Sequence, residues 1–239
     1  MFKREIARGK SPETRAHILA TAIRIFRQRG LENSTMREIA AESGVAIGAA
    51  YYYFSSKEAI IQAYYDEVQA EHARRVETAL VGAGARLDLQ GRLRAAFHAK
   101  LDIVQGDRKL LGALFRFTGE PQHPLSALGE ATSRVRGQSM AVFSQAIGEE
   151  RLPDDIRAIL PSALWALQMA ILLYFTYDES AEQRRTRKLI DGVLTILVRV
   201  LGLAKLSILK PVRGSVFSLL REAELLPTPM PQIAVSQKE

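Results

Sequence analysis

Residues 35–58 read TMREIAAESGVAIGAAYYYFSSKE, and the fold turns on whether Tyr51-Tyr52-Tyr53-Phe54 lies on a helix or on a strand. A strand would divide the four rings between two faces, whereas a helix turns about 100° per residue and points them four ways. The flanking residues decide. Thr35 and Glu38 have capping-box spacing ahead of the apolar stripe Met36, Ile39 and Ala40. Gly44 follows about two turns on and accepts the left-handed conformation that ends a helix, and Val45 is expected to be buried in the turn. Ser55 and Glu58 repeat the box spacing and open another helix. The rings therefore close a short helix, Ala46 to Tyr53, lying between two helix starts.

Upstream, Ser11-Pro12-Glu13 supplies an N-cap, a first-turn proline and a first-turn acid. Ile18, Leu19, Ala22, Ile25 and Phe26 recur at helical spacing until Gly30. Three short helices with a glycine turn between the second and third are the signature of a helix-turn-helix. Downstream, a long helix runs through Ile60, Ile61, Tyr64 and Val68 toward Leu80, and GAGA at 82–85 is a joint. No strand precedes its lone Gly-x-Gly, so a dinucleotide loop is not expected. Helical patterns then cover about 91–105, 107–118, 125–148, 161–177 and 180–202, the last with a capping pair at Ser180 and Gln183. A short helix is expected around 215–225, before Pro227, Pro229 and Pro231, where the end of the chain is expected to be unstructured. With no alternating strand pattern of useful length, the fold class is all-α.

The 239 residues suffice for a small domain joined to one of ordinary size, and 47% hydrophobic with 25% charged residues is a globular composition. Cysteine is absent, which removes disulfides, thiolate nucleophiles and cysteine zinc sites. The basic start MFKREIARGK has no apolar run behind it, so no signal peptide is expected. The longest apolar run, Ala163 to Phe175, contains Gln168 and falls short of the ~20 residues of a membrane span. The net charge of +7 is uneven: residues 1–57 hold ten Lys and Arg against five Asp and Glu. That excess suits a polyanion partner for the first quarter of the chain. Leu164, Trp165, Leu167, Met169 and Ile171 to Phe175 surround their helix, and Leu189 to Leu201 cover more than one stripe of theirs. Helices this apolar must be buried on several sides, which points to a homodimer through about 161–178 and 180–202.

Thr35-Met36-Arg37-Glu38-Ile39-Ala40, Gly44-Val45, Gly48, Tyr51, Tyr53-Phe54 and Ser56-Lys57-Glu58 together resemble the DNA-binding domain of the tetracycline-repressor (TetR) family. The resemblance covers about residues 12–60, and beyond them only the helical layout agrees. It implies a cytoplasmic bacterial transcription regulator, a homodimer and usually a repressor, released from a double-stranded DNA operator when a small-molecule effector binds the C-terminal domain. It divides the chain into a DNA-binding domain with a basic arm (1–56), an effector-binding and dimerisation domain (57–204) and a C-terminal extension (205–239). The sequence departs from the family in carrying Ala46 and Ala49 where Ser and Thr are common. Base reading must then use alanine contacts with thymine methyls, tyrosine, Arg37 or DNA shape.

Phosphate contacts position a protein and base contacts specify its sequence. Thr35 and Lys57, at helix N-termini, suit phosphate. Tyr51 and Tyr53 match family positions that contact the backbone, with packing between helices as the alternative for Tyr53. Arg37 and Tyr52 are candidates for base edges, and Gly48 and Ala49 for close approach to the groove. Lys3, Arg4, Arg8 and Lys10 are candidates for an arm that orders on DNA. Effector candidates are Phe97, Leu101, Phe115, Phe117, Met140, Phe143, Trp165, Met169 and Tyr174, with His98, His123 and Gln168 to orient an apolar or aromatic ligand. Taken singly, each reads first as ordinary core, and the effector reading belongs to the set. An enzyme is disfavoured: four scattered histidines, no HExxH pair and no nucleophile elbow leave no recognisable catalytic site, cofactor or metal. Two further alternatives are a filled-core regulator answering to a partner protein and nonspecific, architectural DNA binding.

Overall fold

A computed structural model describes residues 12–206 and 210–222. The described residues form helices and turns without a strand. The arm residues Lys3, Arg4, Arg8 and Lys10, the Ser11 cap and the prolines after 226 lie outside them. The first three helices are α1 (Pro12–Arg29), α2 (Met36–Glu42) and α3 (Ile47–Tyr53). The Thr35–Glu38 capping box is formed: Thr35 Oγ1 accepts from Glu38 N at 3.2 Å and Glu38 Oε2 accepts from Thr35 N at 2.8 Å. Gly44, at φ 66°, makes the turn into α3. Ile18, Leu19, Ile25, Phe26, Ile39, Ala50 and Phe54 close the core beneath this unit together with Ile60 and Ile61, so the aromatic run ends where expected, with Phe54 inside. Val45 is half-buried against that core.

The long helix α4 (Lys57–Ala83) carries the chain into a second helical layer. Its cap is Ser56, accepting from Ala59 N at 3.2 Å, one residue beyond the expected Ser55. Two adjacent serines offer the same hydroxyl, and spacing alone does not choose between them. The remaining helices are α5 (Leu89–Val104), α6 (Arg108–Thr118), α7 (Ser133–Ile147), α8 (Asp154–Tyr177), α9 (Arg184–Ala204) and α10 (Lys210–Glu222). α5 packs on α4, α7 and α9, while α8 lies on α6, α7 and α9, and α1 touches α4 and α6. Phe97 and Phe143, with centroids 5.2 Å apart, sit at the centre with Leu93, Leu101 and Phe175.

Three boundaries correct the sequence reading. α7 begins at Ser133, since Pro124 to Thr132 form consecutive turns held by Thr132 Oγ1 donating to the Ser126 and Gly129 carbonyls. α8 begins at Asp154 and takes Pro161 inside it. A proline there removes one backbone donor at about 3 kcal/mol, which burial of Ile156, Leu160 and Leu164 on either side offsets. α9 begins at Arg184, because Glu182 and Gln183 hold positive φ and the Ser180–Gln183 box does not form. Buried Asp178 replaces it, its carboxylate accepting from Ser180 N and Oγ and from Thr186 N and Oγ1. Burial alone would raise that carboxyl, but these four hydrogen bonds hold it well below its usual range.

The longer α8 also revises the membrane estimate. It has 24 residues, and an 18-residue window within it has a mean hydropathy of 1.8, so it is long and apolar enough to cross a membrane by length and composition. Its stripe Leu160, Leu164, Gln168, Ile171 and Phe175 is buried in the helical core, as in the core helix of a globular domain.

Candidate functional site

The outer face of α3 is an exposed, nearly uncharged surface. Ile47, Gly48, Tyr51 and Tyr52 point outward, the tyrosines 52% and 68% exposed, while Ala49 is half-buried and Ala50 fully buried. Tyr53 is half-buried against the core and meets the Tyr52 ring edge-on, with centroids 5.2 Å apart. Arg37, exposed on α2, has no ion-pair partner among the described residues. Two sequence candidates are partly engaged already. Both donors of Thr35 go to Glu38 Oε2, at 2.8 and 3.0 Å, and these bonds hold the Glu38 carboxyl below its usual range. Lys57 Nζ donates to the Leu31 carbonyl at 2.7 Å, tying α4 to the loop after α1 and leaving two ammonium donors. Ion pairs from Arg24 and Arg29 to Glu42, at 2.8 and 3.3 Å, clamp α2 onto α1.

A Cβ built at Gly48 meets nothing within 4 Å. Gly48→Ala is therefore expected to raise helix stability by about 0.5–1 kcal/mol and, on the expectation that Gly48 approaches the groove, to weaken DNA binding tenfold or more. Thermal unfolding and a gel-shift titration check the two halves separately.

In the second layer, α4, α5, α6, α7 and α8 surround a cavity of about 130 Å³. Of the effector candidates, Phe115, Trp165, Gln168 and Met169 line it. Phe97, Leu101 and Phe143 are buried in the adjoining core, Met140 is half-buried outside the lining, and Tyr174 is exposed. Phe117 stacks on His123, centroids 4.2 Å apart, away from the lining. His98 lies between α5 and α9, bonded to Asp191 at 3.0 Å. Apart from Gln168, the polar lining was missed by sequence, Gln69, Lys100, Arg136 and Ser139 among it. Lys100 Nζ and Ser139 Oγ each donate to Gln69 Oε1 at 2.8 Å. A signal existed for the first two. Lys100 stands between Phe97 and Val104 on the apolar stripe of α5, and Gln69 between Tyr65 and Val76 on that of α4.

One cavity residue reaches the first domain. Tyr64 donates to Asp107 Oδ2 at 2.7 Å, and Arg27, in the last turn of α1, binds both oxygens of the same buried carboxylate. Burial and the Asp107 charge raise the Tyr64 hydroxyl far above its ordinary value, so it stays a donor.

A helix-turn-helix with an exposed third helix, joined through α4 to a helical layer around a cavity, defines a two-domain DNA-binding regulator. The chain belongs to the TetR family: residues 18–64 match the bacterial regulatory proteins of the tetR family and residues 92–214 the tetracyclin repressor-like C-terminal domain. Members of that family are non-enzymatic regulators. The chain is 38% identical over 63 residues to the transcriptional regulator TtgR of Pseudomonas putida, a match covering 26% of this chain and 30% of that one. The match to YerO of Bacillus subtilis likewise covers 30% of that relative. The repressor KstR2 of Rhodococcus jostii is 27% identical over 158 residues, covering 62% of this chain and 72% of that one. The crystal structure of a TetR regulator from Nitrosomonas europaea superimposes with a TM-score of 0.61 at 23% identity, over 78% of this chain and 98% of that one. The FadR regulator of Bacillus subtilis, in complex with stearoyl-CoA, gives 0.58 at 17%, over 75% and 96%.

Proposed function

We propose that this regulator is a cytoplasmic repressor that binds its operator as a homodimer and releases it when a small apolar or aromatic effector fills the cavity. The carrying observation is Tyr64, which lines the cavity and shares Asp107 with Arg27 of α1. A ligand that shifts α4 or α6 changes the seat of the DNA-binding domain through that carboxylate. A differential of 1–3 kcal/mol between the two arrangements, a typical coupling energy, weakens operator binding by about 5–150-fold. The cavity favours a small molecule over the filled-core alternative. The repressor role is supported by KstR2, named a repressor, and the small-molecule role by the stearoyl-CoA held in FadR.

In this reading residues 1–56 bind DNA, 57–204 bind effector and dimerise, and 205–239 form an extension. Tyr51, Tyr53, Lys57 and the end of α2 at Thr35 flank phosphates, and Arg37, Gly48, Ala49 and Tyr52 face base edges. Two such faces must sit about 34 Å apart to enter successive major grooves, which requires a dimer. α8 and α9 supply a surface for one. Leu173, Tyr174 and Tyr177 on α8, and Leu189, Ile196, Val200 and Leu203 on α9, are exposed apolar side chains at helical spacing. Ile196 is 61% exposed, so Ile196→Asp is expected to leave the fold unchanged and convert a dimer to a monomer in light scattering. Selection of bound duplexes from a random pool tests the function itself. The expected operator-to-random affinity ratio is about 10³ or more, and a ratio near one replaces this reading with architectural binding.

A further inference from the structure

The inner wall of the cavity carries a buried lysine and buried amides. Lys100 is 6% exposed and spends one of its three donors on Gln69. In its ammonium form Lys100 donates to the Gln69 Oε1, and Ser139 Oγ donates to the same oxygen. The Gln69 Nε2 is left buried and without an acceptor among the described residues. Gln168, 3% exposed, also holds a buried Nε2 with no acceptor. Arg136 is the other charge on the lining, already tied to the Ala127 and Gly129 carbonyls, and among the described residues no carboxylate lines the cavity. A buried lysine with spare donors and two unpaired amide N–H groups are costly unless a ligand supplies acceptors. The rest of the wall is apolar, with Phe115, Trp165 and Leu172 prominent.

Resting on the effector reading above, we propose that the cavity takes a small carboxylic acid, its carboxylate against Lys100, Gln69 and Gln168 and its apolar body against Trp165 and Phe115. Two carboxylate oxygens offer about four acceptor sites, enough for these three side chains. The volume of about 130 Å³ suits one ring or a short chain, since a cavity of ~150 Å³ holds benzene.

The same wall predicts a proton linkage. Burial pulls Lys100 down to about 7, so the empty site is partly neutral at pH 7. Three shifted groups near it lie away from that range: His72 on α4 is held down at about 3 by burial and by Lys100, and Tyr64 and Tyr65 are raised by burial. Arg136 on α7 is the other cation of the lining, and the α6 and α8 walls contribute no charged side chain. A bound carboxylate requires the protonated lysine. Affinity is therefore full between the titration of the ligand's own carboxyl, at about 4–5, and that of the lysine, and falls up to about tenfold per unit as pH rises above 7, with proton uptake on binding.

The test is a calorimetric and thermal-shift panel on the full chain, from butyrate and benzoate to octanoate and phenylbutyrate, each acid paired with its primary amide. At least one acid is expected to bind tenfold or more tighter than its amide, and to lose that margin in Lys100→Met. That variant removes a buried charge and is expected to fold with a raised Tm, and binding above pH 7 should consume a proton in the wild type alone. Amides binding as well as acids, an unchanged acid affinity in Lys100→Met, or no binding across the panel would overturn the carboxylate assignment. Operator binding, followed with the same compounds, separates the two claims. Acids that bind in the cavity without altering it leave the carboxylate site standing and remove the effector reading. Amides that bind and release the operator do the reverse.

Discussion

Phe54→Ala is expected to lower the unfolding free energy by about 3–5 kcal/mol and to abolish operator binding. The ring is 2% exposed, and the Arg15 guanidinium sits 4.8 Å from its centroid. It is the last residue before the turn into α4, so its burial in the core that also holds Ile18, Ile39 and Ile60 sets the angle at which α3 leaves that core. Removing it leaves a cavity under the reading helix and frees that helix to rock. Tyr52→Ala is the contrast: exposed and outside the core, it should change stability by less than about 0.5 kcal/mol while altering which duplexes are selected. Urea unfolding and duplex selection on both variants give the comparison. Equal stability losses would mean that the aromatic run packs as one unit.

Arg27→Ala is expected to cost about 3 kcal/mol and to leave operator binding indifferent to effector. The substitution strands the Asp107 carboxylate, 3% exposed, with the Tyr64 hydroxyl as its remaining side-chain partner among the described residues. Breaking a buried ion pair costs about 3–5 kcal/mol, and the lower end applies because Arg27 is itself about half exposed. The double variant Arg27→Ala, Asp107→Ala should recover part of the loss, with a coupling energy of about 1–3 kcal/mol in a double-mutant cycle. Additive losses would mean that the three groups do not act together, and the route from cavity to α1 would be lost with them.

The helix-turn-helix was legible because its signals are local. The Thr35–Glu38 box, the left-handed Gly44 and the buried Phe54 each depend on residues within a few positions, and all three are formed. Boundaries set by distant groups were not. Asp178 rather than Ser180 organises the start of α9 because the loop folds back to place Thr186 over its carboxylate. Pro161 reads as a helix start, yet packing on both sides carries α8 through it. The cavity was legible only in part. Phe97 and Phe143 look like Phe115 and Trp165 in a helical stripe, and only tertiary packing decides that the first pair meets in the core while the second leaves room. The polar wall left a readable trace, a lysine and a glutamine on apolar stripes. The Tyr64–Asp107–Arg27 bridge joins residues 43 and 80 positions apart and left none.

Effector-coupled release is tested most directly by fluorescence anisotropy of the full chain on its selected duplex, with the cavity empty and then saturated by a carboxylate that calorimetry has placed there. The account predicts that operator affinity falls about tenfold or more on saturation and stays unchanged in Arg27→Ala. An operator affinity identical with the cavity empty and filled would contradict it.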